Sequence, residues 1–115
     1  MKTFGASKEF VLDKNLDWEV VGERVKRKIM TYDDKIMLVK VHFDKGGIGY
    51  KHEHYHSQVT YIESGEFEFS IGDETKIVKE GDSVYIPPHV LHGAVCIQTG
   101  VLIDVFSPIR EDFMQ

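Results

Sequence analysis

Apolar and polar residues alternate along much of the chain, so that nearly every second side chain is hydrophobic. The alternation is clearest over residues 37–43 and 67–71. A period of two is typical of a strand with one face buried and the other in water. Gly72-Asp73 follows the second run and predicts a tight turn into a further strand over residues 74–78.

Helical periodicity is missing from the sequence. No segment of ten or more residues keeps an apolar stripe at helical spacing. Turn-forming residues instead interrupt the chain at short intervals, at Gly46-Gly47, Gly65, Gly81-Asp82, Pro87-Pro88 and Gly100. Many short strands without helices between them predict an all-β domain, built as an antiparallel sandwich or barrel.

The length and composition favour one folded domain. A chain of 115 residues with 42% hydrophobic residues can build a core and is too apolar to be intrinsically disordered. Residues 1–16 are the least patterned part and predict an N-terminal arm or a short added strand. The domain itself is then expected over residues 17–115.

Charge and cysteine content exclude several classes of protein. The net charge is −5, which argues against nucleic acid as a partner because that interaction needs a positive surface. A single cysteine, Cys96, rules out an intrachain disulfide, and we expect it to be a small buried side chain. Residues 1–10 lack a signal-peptide core and no apolar run approaches twenty residues, so we expect a cytoplasmic protein without a membrane partner.

The histidines carry the most chemical information. Three of the six lie within residues 52–56. On a strand, His52 and His54 would point to the same side and could bind one metal ion together. Gln58 shares their parity and could add an oxygen ligand, and His92, after the rigid segment 86–89, is the candidate from a distant strand. Taken alone, the cluster could also be an exposed tract that binds metal weakly.

The spacing of these residues resembles the two sequence motifs of the cupin family. In the first motif, five, one, three and six residues separate successive members, and in the second, five residues precede Pro87 and two separate His89 from His92. Gln58 takes the usual Glu position, His89 stands where Gly is usual and Cys96 where Asn is usual. The motif residues are Gly46, His52, His54, Gln58 and Gly65, then Gly81, Pro87, Pro88, His89 and His92.

The cupin resemblance implies a small antiparallel β-barrel of the jelly-roll type, a double-stranded β-helix. It also implies one divalent transition metal ion, Ni, Fe, Mn, Co or Zn, held by His52, His54, Gln58 and His92. A Gln ligand cancels none of the ion's charge, whereas a Glu ligand would cancel one unit. Such a site should therefore bind an anionic oxygen ligand well and act as a Lewis acid.

The sequence predicts a different location for each of the other three histidines. His42 alternates with apolar residues and should lie on an outer face. His89 falls in the turn before His92, where a structural role is favoured over metal ligation. For His56 the sequence leaves two interpretations open, a pocket residue or a solvent-facing turn residue.

A group of basic residues precedes the first long apolar run. One interpretation is a solvated strand face balanced by nearby acids. The other is that one member points into a pocket and attracts an anionic small molecule. The group comprises Arg24, Lys26, Arg27 and Lys28.

An acidic residue interrupts an otherwise apolar strand near the end of the chain. Residues 100–106 are apolar on both faces except at Asp104. A buried carboxylate is costly unless it is paired, so Asp104 is either a structural hydrogen-bonding acid or a functional acid or base facing the barrel interior. Phe106 shares its parity. Arg110, considered alone, would be a surface ion pair with Glu111 or Asp112.

Several segments together resemble the pectin-degradation cupins called KdgF, over residues 17–114. These segments are residues 18–21, 54–58, 65–69, 86–88 and 104–113. The resemblance implies action on 4,5-unsaturated monouronates from pectin or alginate breakdown, which are converted to their open-chain keto form. It also implies that Asp104, Phe106 and Arg110 surround the substrate and that the protein is a homodimer.

The sequence therefore predicts a metal-dependent uronate ring-opening enzyme. Arg110 would bind the substrate carboxylate, Asp104 would transfer a proton, and Phe106 would pack on the sugar ring. Two alternatives remain open, a non-catalytic cupin that binds metal and sugar acids, and a metal-dependent oxygenase. Oxygen uptake with Fe(II) would identify the oxygenase, and binding without turnover would identify the non-catalytic protein.

Overall fold

The computed structural model describes residues 3–115, which form eight β-strands and two short 3₁₀-helices. No helix in this range is long and apolar enough to cross a membrane. The strands are β1 (Glu19–Gly22), β2 (Val25–Asp33), β3 (Ile36–Phe43), β4 (Ile48–His52), β5 (Ser57–Ile71), β6 (Glu74–Lys79), β7 (Ser83–Ile86) and β8 (His92–Ser107). The 3₁₀-helices are Asp13–Asn15 and Glu111–Met114.

All strand pairs are antiparallel, and the long strands β5 and β8 organise them. The main path of the sheet runs β1-β2-β3-β8-β5-β6, with β4 added to β8 and β7 added to β5. The β5–β8 ladder extends from Ser57↔Ser107 to Ile71↔His92 and is interrupted by bulges between Ile62 and Phe67. Bulges bend a sheet, so these two long strands can contribute to both halves of the barrel. The predicted all-β jelly-roll fold is confirmed.

The alternating pattern correctly predicted which face is buried. Met37 and Val39 are 0% exposed, while Phe43 and Phe67 stack edge to face with ring centroids 5.4 Å apart. Cys96 is buried in the same core, as expected. Burying alternate apolar side chains from both halves of the barrel provides the main favourable term for folding.

A second, smaller apolar cluster fastens the end of the chain to the barrel. Met37, Val39 and Phe106 pack there with Ile109, and Phe4 and Phe113 cover them. This cluster places the residues that follow β8 directly against the barrel.

The predicted turn at Gly72-Asp73 joins β5 to β6, and Ile71 pairs with Glu74 across it. Gly72 has a φ of 58°. Glycine adopts this left-handed conformation without steric cost and is favoured at the first central position of such two-residue turns. The hairpin is therefore built as the sequence indicates.

The described part of the N-terminal segment, residues 3–16, contains a 3₁₀-helix and no strand. It is attached to β2 and β3 from outside. The backbone N–H of Ser7 donates to the Tyr32 carbonyl at 2.9 Å, and the Asp13 carboxylate accepts hydrogen bonds from Lys28 and Lys40. This segment therefore covers the outer face of the sheet that carries the basic residues.

Gly65→Ala should lower the free energy of unfolding of the barrel much more than Gly81→Ala. Both glycines have positive φ, 85° and 93°, and an alanine at either position costs about 1–2 kcal/mol in backbone strain. At Gly65 a Cβ would also lie 2.6 Å from the Gln98 carbonyl oxygen, whereas nothing lies within 4 Å at Gly81. This backbone clash adds about 1–3 kcal/mol. Urea unfolding of both variants measures the difference, and equal losses would contradict the close β5–β8 approach.

Candidate metal centre and adjoining cavity

Three histidines converge from three parts of the chain. His52 is the last residue of β4 and pairs with His92, the first residue of β8. Their ring centroids are 4.4 Å apart, and the centroid of His54 lies 4.9 Å from that of His92. One ligand nitrogen from each ring lies within 4.8 Å of the other two, an arrangement that could hold a metal ion.

The prediction that His54 lies on a strand with His52 is wrong. β4 ends at His52, and His54 lies in the loop of residues 53–56 that leads to β5. The loop returns the chain so that His54 still faces His52, with ring centroids 5.5 Å apart. Loop geometry, rather than strand parity, brings these two rings together.

Backbone carbonyls orient all three rings. The Nδ1 atoms of His52 and His92 lie 2.9 Å from the carbonyls of Tyr50 and Val90, and Nδ1 of His54 lies 3.2 Å from the His56 carbonyl. A carbonyl only accepts, so each bond requires the proton on Nδ1. In a neutral ring this leaves the Nε2 lone pair free to bind a metal ion.

Two contacts at the centre fit a bound cation. Nε2 of His92 is buried and has no hydrogen-bond partner among the described residues. Nε2 of His54 lies 3.0 Å from Oε1 of Gln58, and when Nδ1 carries the only proton these two atoms face each other with lone pairs. Burial lowers the pKa of His54, and it lowers the pKa of His92 to about 4, so both rings are neutral at pH 7. A cation between the ligand atoms would satisfy them.

A chain of hydrogen bonds links the centre to the acid in β8. Nε2 of Gln58 donates to Oγ1 of Thr60 at 2.9 Å, and that hydroxyl donates to Oδ1 of Asp104 at 2.6 Å. Burial raises the pKa of Asp104 from its usual 3.8 to about 6, although the bond from Thr60 and the charge of Arg110 oppose the shift. The interior position expected for Asp104 is present.

Arg110 is held by the protein itself. Its Nε and Nη2 atoms donate to the two carboxylate oxygens of Asp112 at 3.0 and 2.8 Å. The guanidinium carbon lies 5.1 Å from the ring centroid of Phe106 and 4.3 Å from that of Phe113. The ion pair expected with Glu111 or Asp112 is formed with Asp112. It lies at the edge of the surface, since Arg110 is only 9% exposed whereas the Asp112 side chain is 60% exposed.

These groups line one cavity of about 260 Å³. Phe43, Phe69, Leu102 and Phe113 provide apolar walls. Of the sequence-predicted site residues, six line the cavity directly and His54 adjoins it through its contact with Gln58. The six are His52, Gln58, His92, Asp104, Phe106 and Arg110. The cavity thus combines a cluster of histidine nitrogen ligands, a carboxyl group and a guanidinium.

His56 corresponds to neither interpretation left open by the sequence. It is 4% exposed but does not line the cavity. Its Nε2 lies 2.7 Å from Oε1 of Glu111 and 3.1 Å from the Ile109 carbonyl, and its ring stacks on Tyr55. Tyr55 donates its hydroxyl hydrogen to the same Glu111 carboxylate. His56 therefore ties the loop of residues 53–56 to the end of the chain.

The two remaining histidines lie where the sequence places them. His42 is outside the barrel, edge to face with Trp18 at 5.7 Å. His89 is in the turn before β8, with a φ of 66°, and its N–H donates to the His54 carbonyl at 2.7 Å. The left-handed backbone gives a physical reason for glycine at the corresponding motif position.

The basic residues of β2 do not line the cavity. Lys28 is buried against Asp13 rather than solvated, and Lys26 lies over Trp18. Arg27 pairs with Glu19 and stacks on Phe113, so it reaches the cavity only through that ring. Arg24 lines a neighbouring groove that shares Gly49 and His52 with the cavity. The expectation of a fully solvated face is therefore wrong for Lys28.

Sequence reasoning missed Thr60 and Phe113 as site residues, and it missed Glu111 as the partner of His56. Thr60 had a signal, because it is polar yet shares the parity of the buried Ile62. The pairing of Glu111 with His56 had none, since an acidic pair near the end of a chain is usually solvated. Only the fold places Glu111 beside His56.

Comparisons with known proteins agree with this geometry. A family model described as a Cupin domain matches residues 39–106. The chain is 43% identical to the Pectin degradation protein KdgF of Dickeya dadantii (strain 3937), over 93% of this chain and 99% of that protein.

Two solved structures are similar over almost their whole lengths. One is an RmlC-like cupin from Shewanella frigidimarina NCIMB 400, with 44% identity, a TM-score of 0.93, and coverage of 96% of this chain and 99% of that one. The other is KdgF from Halomonas sp., with 35% identity, a TM-score of 0.89, and coverage of 93% and 99%. The residues matched by the family model include both the histidine cluster and Asp104.

Purified protein should contain about one transition metal ion per chain, because the three Nε2 atoms and Gln58 offer a single cluster of ligands. His52→Ala combined with His54→Ala should remove the metal. His42→Ala, which changes a histidine outside the barrel, should retain it. Elemental analysis of all three proteins provides the measurement, and metal that persists in the double variant would contradict this site.

Asp104→Asn should stabilise the metal-free protein at pH 8 and not at pH 4. The raised pKa means that the folded protein holds this proton more tightly than the unfolded chain. The contribution of Asp104 to wild-type stability should therefore fall as pH rises from about 4 to about 6, by about 1–3 kcal/mol, and the neutral amide has no such contribution. The lowered pKa of His92 has the opposite pH dependence but acts equally in both proteins, so the difference between them reports Asp104.

Urea unfolding at the two pH values, with a chelator present, measures this effect. Asp73→Asn, at an exposed turn, is the matched control and should follow the wild type. A constant difference between Asp104→Asn and the wild type at both pH values would contradict the buried carboxyl.

Proposed function

We propose that this chain, which belongs to the cupin family and within it to the KdgF pectin-degradation proteins, is a metal-dependent enzyme. The proposed reaction opens the ring of 4,5-unsaturated monouronates. One observation carries the proposal. A single cavity of about 260 Å³ holds a histidine cluster, a carboxyl group of raised pKa and a guanidinium. These are the groups that an anionic sugar undergoing proton transfer requires.

The reaction needs proton transfers and no co-reactant. In the cyclic substrate the ring oxygen belongs both to a hemiacetal and to an enol ether. Removing the proton of the anomeric hydroxyl lets the bond between the anomeric carbon and the ring oxygen break, which leaves an aldehyde and an enolate. A proton added to the enolate carbon then gives the ketone, so the net change is an isomerisation.

Asp104 is the group proposed to move these protons. Its Oδ1 accepts the hydrogen bond of Thr60, and the Gln58 side chain also interacts with the carboxylate, so the substrate would use the remaining lone pairs, chiefly those of Oδ2. A pKa of about 6 allows the carboxylate to take a proton and return it near neutral pH. General acid–base assistance of this kind is worth about 10²–10⁴-fold in rate.

Arg110 is proposed to bind the substrate carboxylate, but not through all of its donors. Asp112 already occupies Nε and one hydrogen of Nη2, so the substrate would use the edge formed by Nη1 and the remaining Nη2 hydrogen. Phe106 and Phe113 hold the guanidinium plane in place. Phe106, which lines the cavity, would pack against the sugar ring.

His52, His54, Gln58 and His92 are proposed to hold the metal ion. When bound, a divalent ion there supplies a Lewis acid that polarises a substrate oxygen. Its identity among Ni, Fe, Mn, Co and Zn does not follow from nitrogen and amide ligands.

We further propose that the protein works as a homodimer, as its family resemblance implies, and that it works in the cytoplasm, as expected from the sequence. Support for pairing comes from the outer face of β5 and β7. Val59 and Tyr85 are paired across these strands, and both side chains and Tyr61 are about half exposed. A contiguous exposed apolar face is typical of a surface that another chain covers.

Metal-loaded protein should accelerate the loss of the double-bond ultraviolet absorbance of unsaturated galacturonate. Asp104→Asn should reduce the rate by about 10²–10⁴-fold while the variant still binds the sugar, because the amide keeps the size of the side chain and loses the base. Asp73→Asn serves as the control and should keep the full rate. Absorbance kinetics and calorimetric binding of a saturated uronate measure the two effects.

No acceleration above the buffer rate would overturn the proposed reaction. A uronate that binds the metal-loaded wild type without turnover would identify a non-catalytic sugar-acid-binding protein instead. Consumption of oxygen with Fe(II) loaded would identify an oxygenase.

A further inference from the structure

A threonine stands on the inner face of β5 where the strand pattern calls for an apolar residue. Thr60 is 1% exposed and lies between Gln58 and the buried Ile62 on the same side of the strand. Across the ladder it pairs with Asp104 of β8. A buried hydroxyl destabilises the fold unless it is hydrogen-bonded, so both of its bonds matter.

The direction of these bonds is determined by a single hydrogen atom. The Thr60 hydroxyl donates its hydrogen to Oδ1 of Asp104 at 2.6 Å. Its oxygen is then left as an acceptor, and Nε2 of Gln58 donates to it at 2.9 Å. With the amide nitrogen engaged, Oε1 of Gln58 points the opposite way, 3.0 Å from Nε2 of His54.

We propose that Thr60 is a positioning residue that turns the Gln58 oxygen toward the histidine cluster and fixes the Asp104 carboxylate. The role at Asp104 rests on the proposed function, whereas the role at Gln58 concerns metal binding alone. Without the hydroxyl, the Gln58 amide could rotate by half a turn and present its NH₂ group to the cluster, which cannot bind a cation.

The same geometry explains why a Gln suits position 58. A Glu carboxylate has no hydrogen to donate to Thr60 and would compete with Asp104 for the one hydroxyl hydrogen. A carboxylate, however, presents an oxygen in either orientation. The contribution of Thr60 to metal binding should therefore depend on the residue at position 58.

A double-variant cycle on metal-free protein tests this with Ni²⁺ and isothermal calorimetry. Thr60→Val, which replaces the hydroxyl by a methyl group of similar size, should weaken Ni²⁺ binding by about 10–100-fold. Thr60→Ser, which keeps the hydroxyl, should stay within about threefold of the wild type. In the Gln58→Glu background, Thr60→Val should change the affinity by less than about threefold.

Three results would overturn the proposal. The first is an unchanged Ni²⁺ affinity in Thr60→Val. The second is a loss of Ni²⁺ affinity in Thr60→Ser equal to that in Thr60→Val. The third is an equally large effect of Thr60→Val on Ni²⁺ affinity in the Gln58→Glu background. If Thr60→Val does not fold, Thr60→Ala and Thr60→Ser form a second matched pair that differs by one oxygen atom, and the same comparisons apply.

Turnover of unsaturated galacturonate by the Ni²⁺-saturated proteins tests the role at Asp104. Thr60→Val should lower kcat by about ten- to a hundredfold with little change in KM, and Thr60→Ser should restore it. Equal kcat values for the three proteins would overturn this half of the proposal. A wild type that shows no turnover would contradict the proposed function, while the Ni²⁺ cycle would still decide the role of Thr60 at Gln58.

Discussion

The antiparallel ladder between β5 and β8 determines where most of the candidate site lies. Its register places Gln58 opposite Phe106 and Thr60 opposite Asp104, and its far end brings in His92. Because side chains alternate between faces, a slip of one residue would turn Thr60 and Asp104 out of the barrel. The same ladder carries core residues such as Ile62 and Leu102, which pair across it. Core packing therefore stabilises the register on which the site depends.

Polar groups in the barrel interior are tolerated because each has a defined direction of hydrogen bonding. Backbone carbonyls set the proton of the three histidines on Nδ1, and one hydroxyl hydrogen orders Gln58, Thr60 and Asp104. At the open end, Asp112 and two aromatic rings immobilise Arg110. These contacts hold the side chains of the cavity in fixed positions, which is the preorganisation that a binding site of this kind requires. Of the two buried side-chain atoms without a hydrogen-bond partner among the described residues, Nε2 of His92 lies where a cation would bind, and Nδ1 of His56 belongs to a residue that does not line the cavity.

Much of this could be predicted from the sequence, and the failures have physical causes. The alternating pattern identified the buried face of β3, and the motif spacing selected the histidines that converge. His54 was assigned to a strand because parity is the simplest way to align it with His52, but the chain turns instead. His56 was undecided because its partner, Glu111, is 55 residues away in sequence. The pair between Arg110 and Asp112 was expected to be a surface pair, since ion pairs near a chain end are usually exposed and weak.

The sequence by itself determined the fold class, the identity of the three histidines and the unusual place of Asp104 in an otherwise apolar strand. These depend on periodicity, spacing and the cost of burying a charge, which are properties of short segments. Only the tertiary structure decided that Thr60 connects Gln58 to Asp104, that His56 anchors the end of the chain and that Asp112 holds Arg110. Hydrogen-bond direction depends on which atoms meet across strands and loops, and that is set by register and packing between segments distant in sequence.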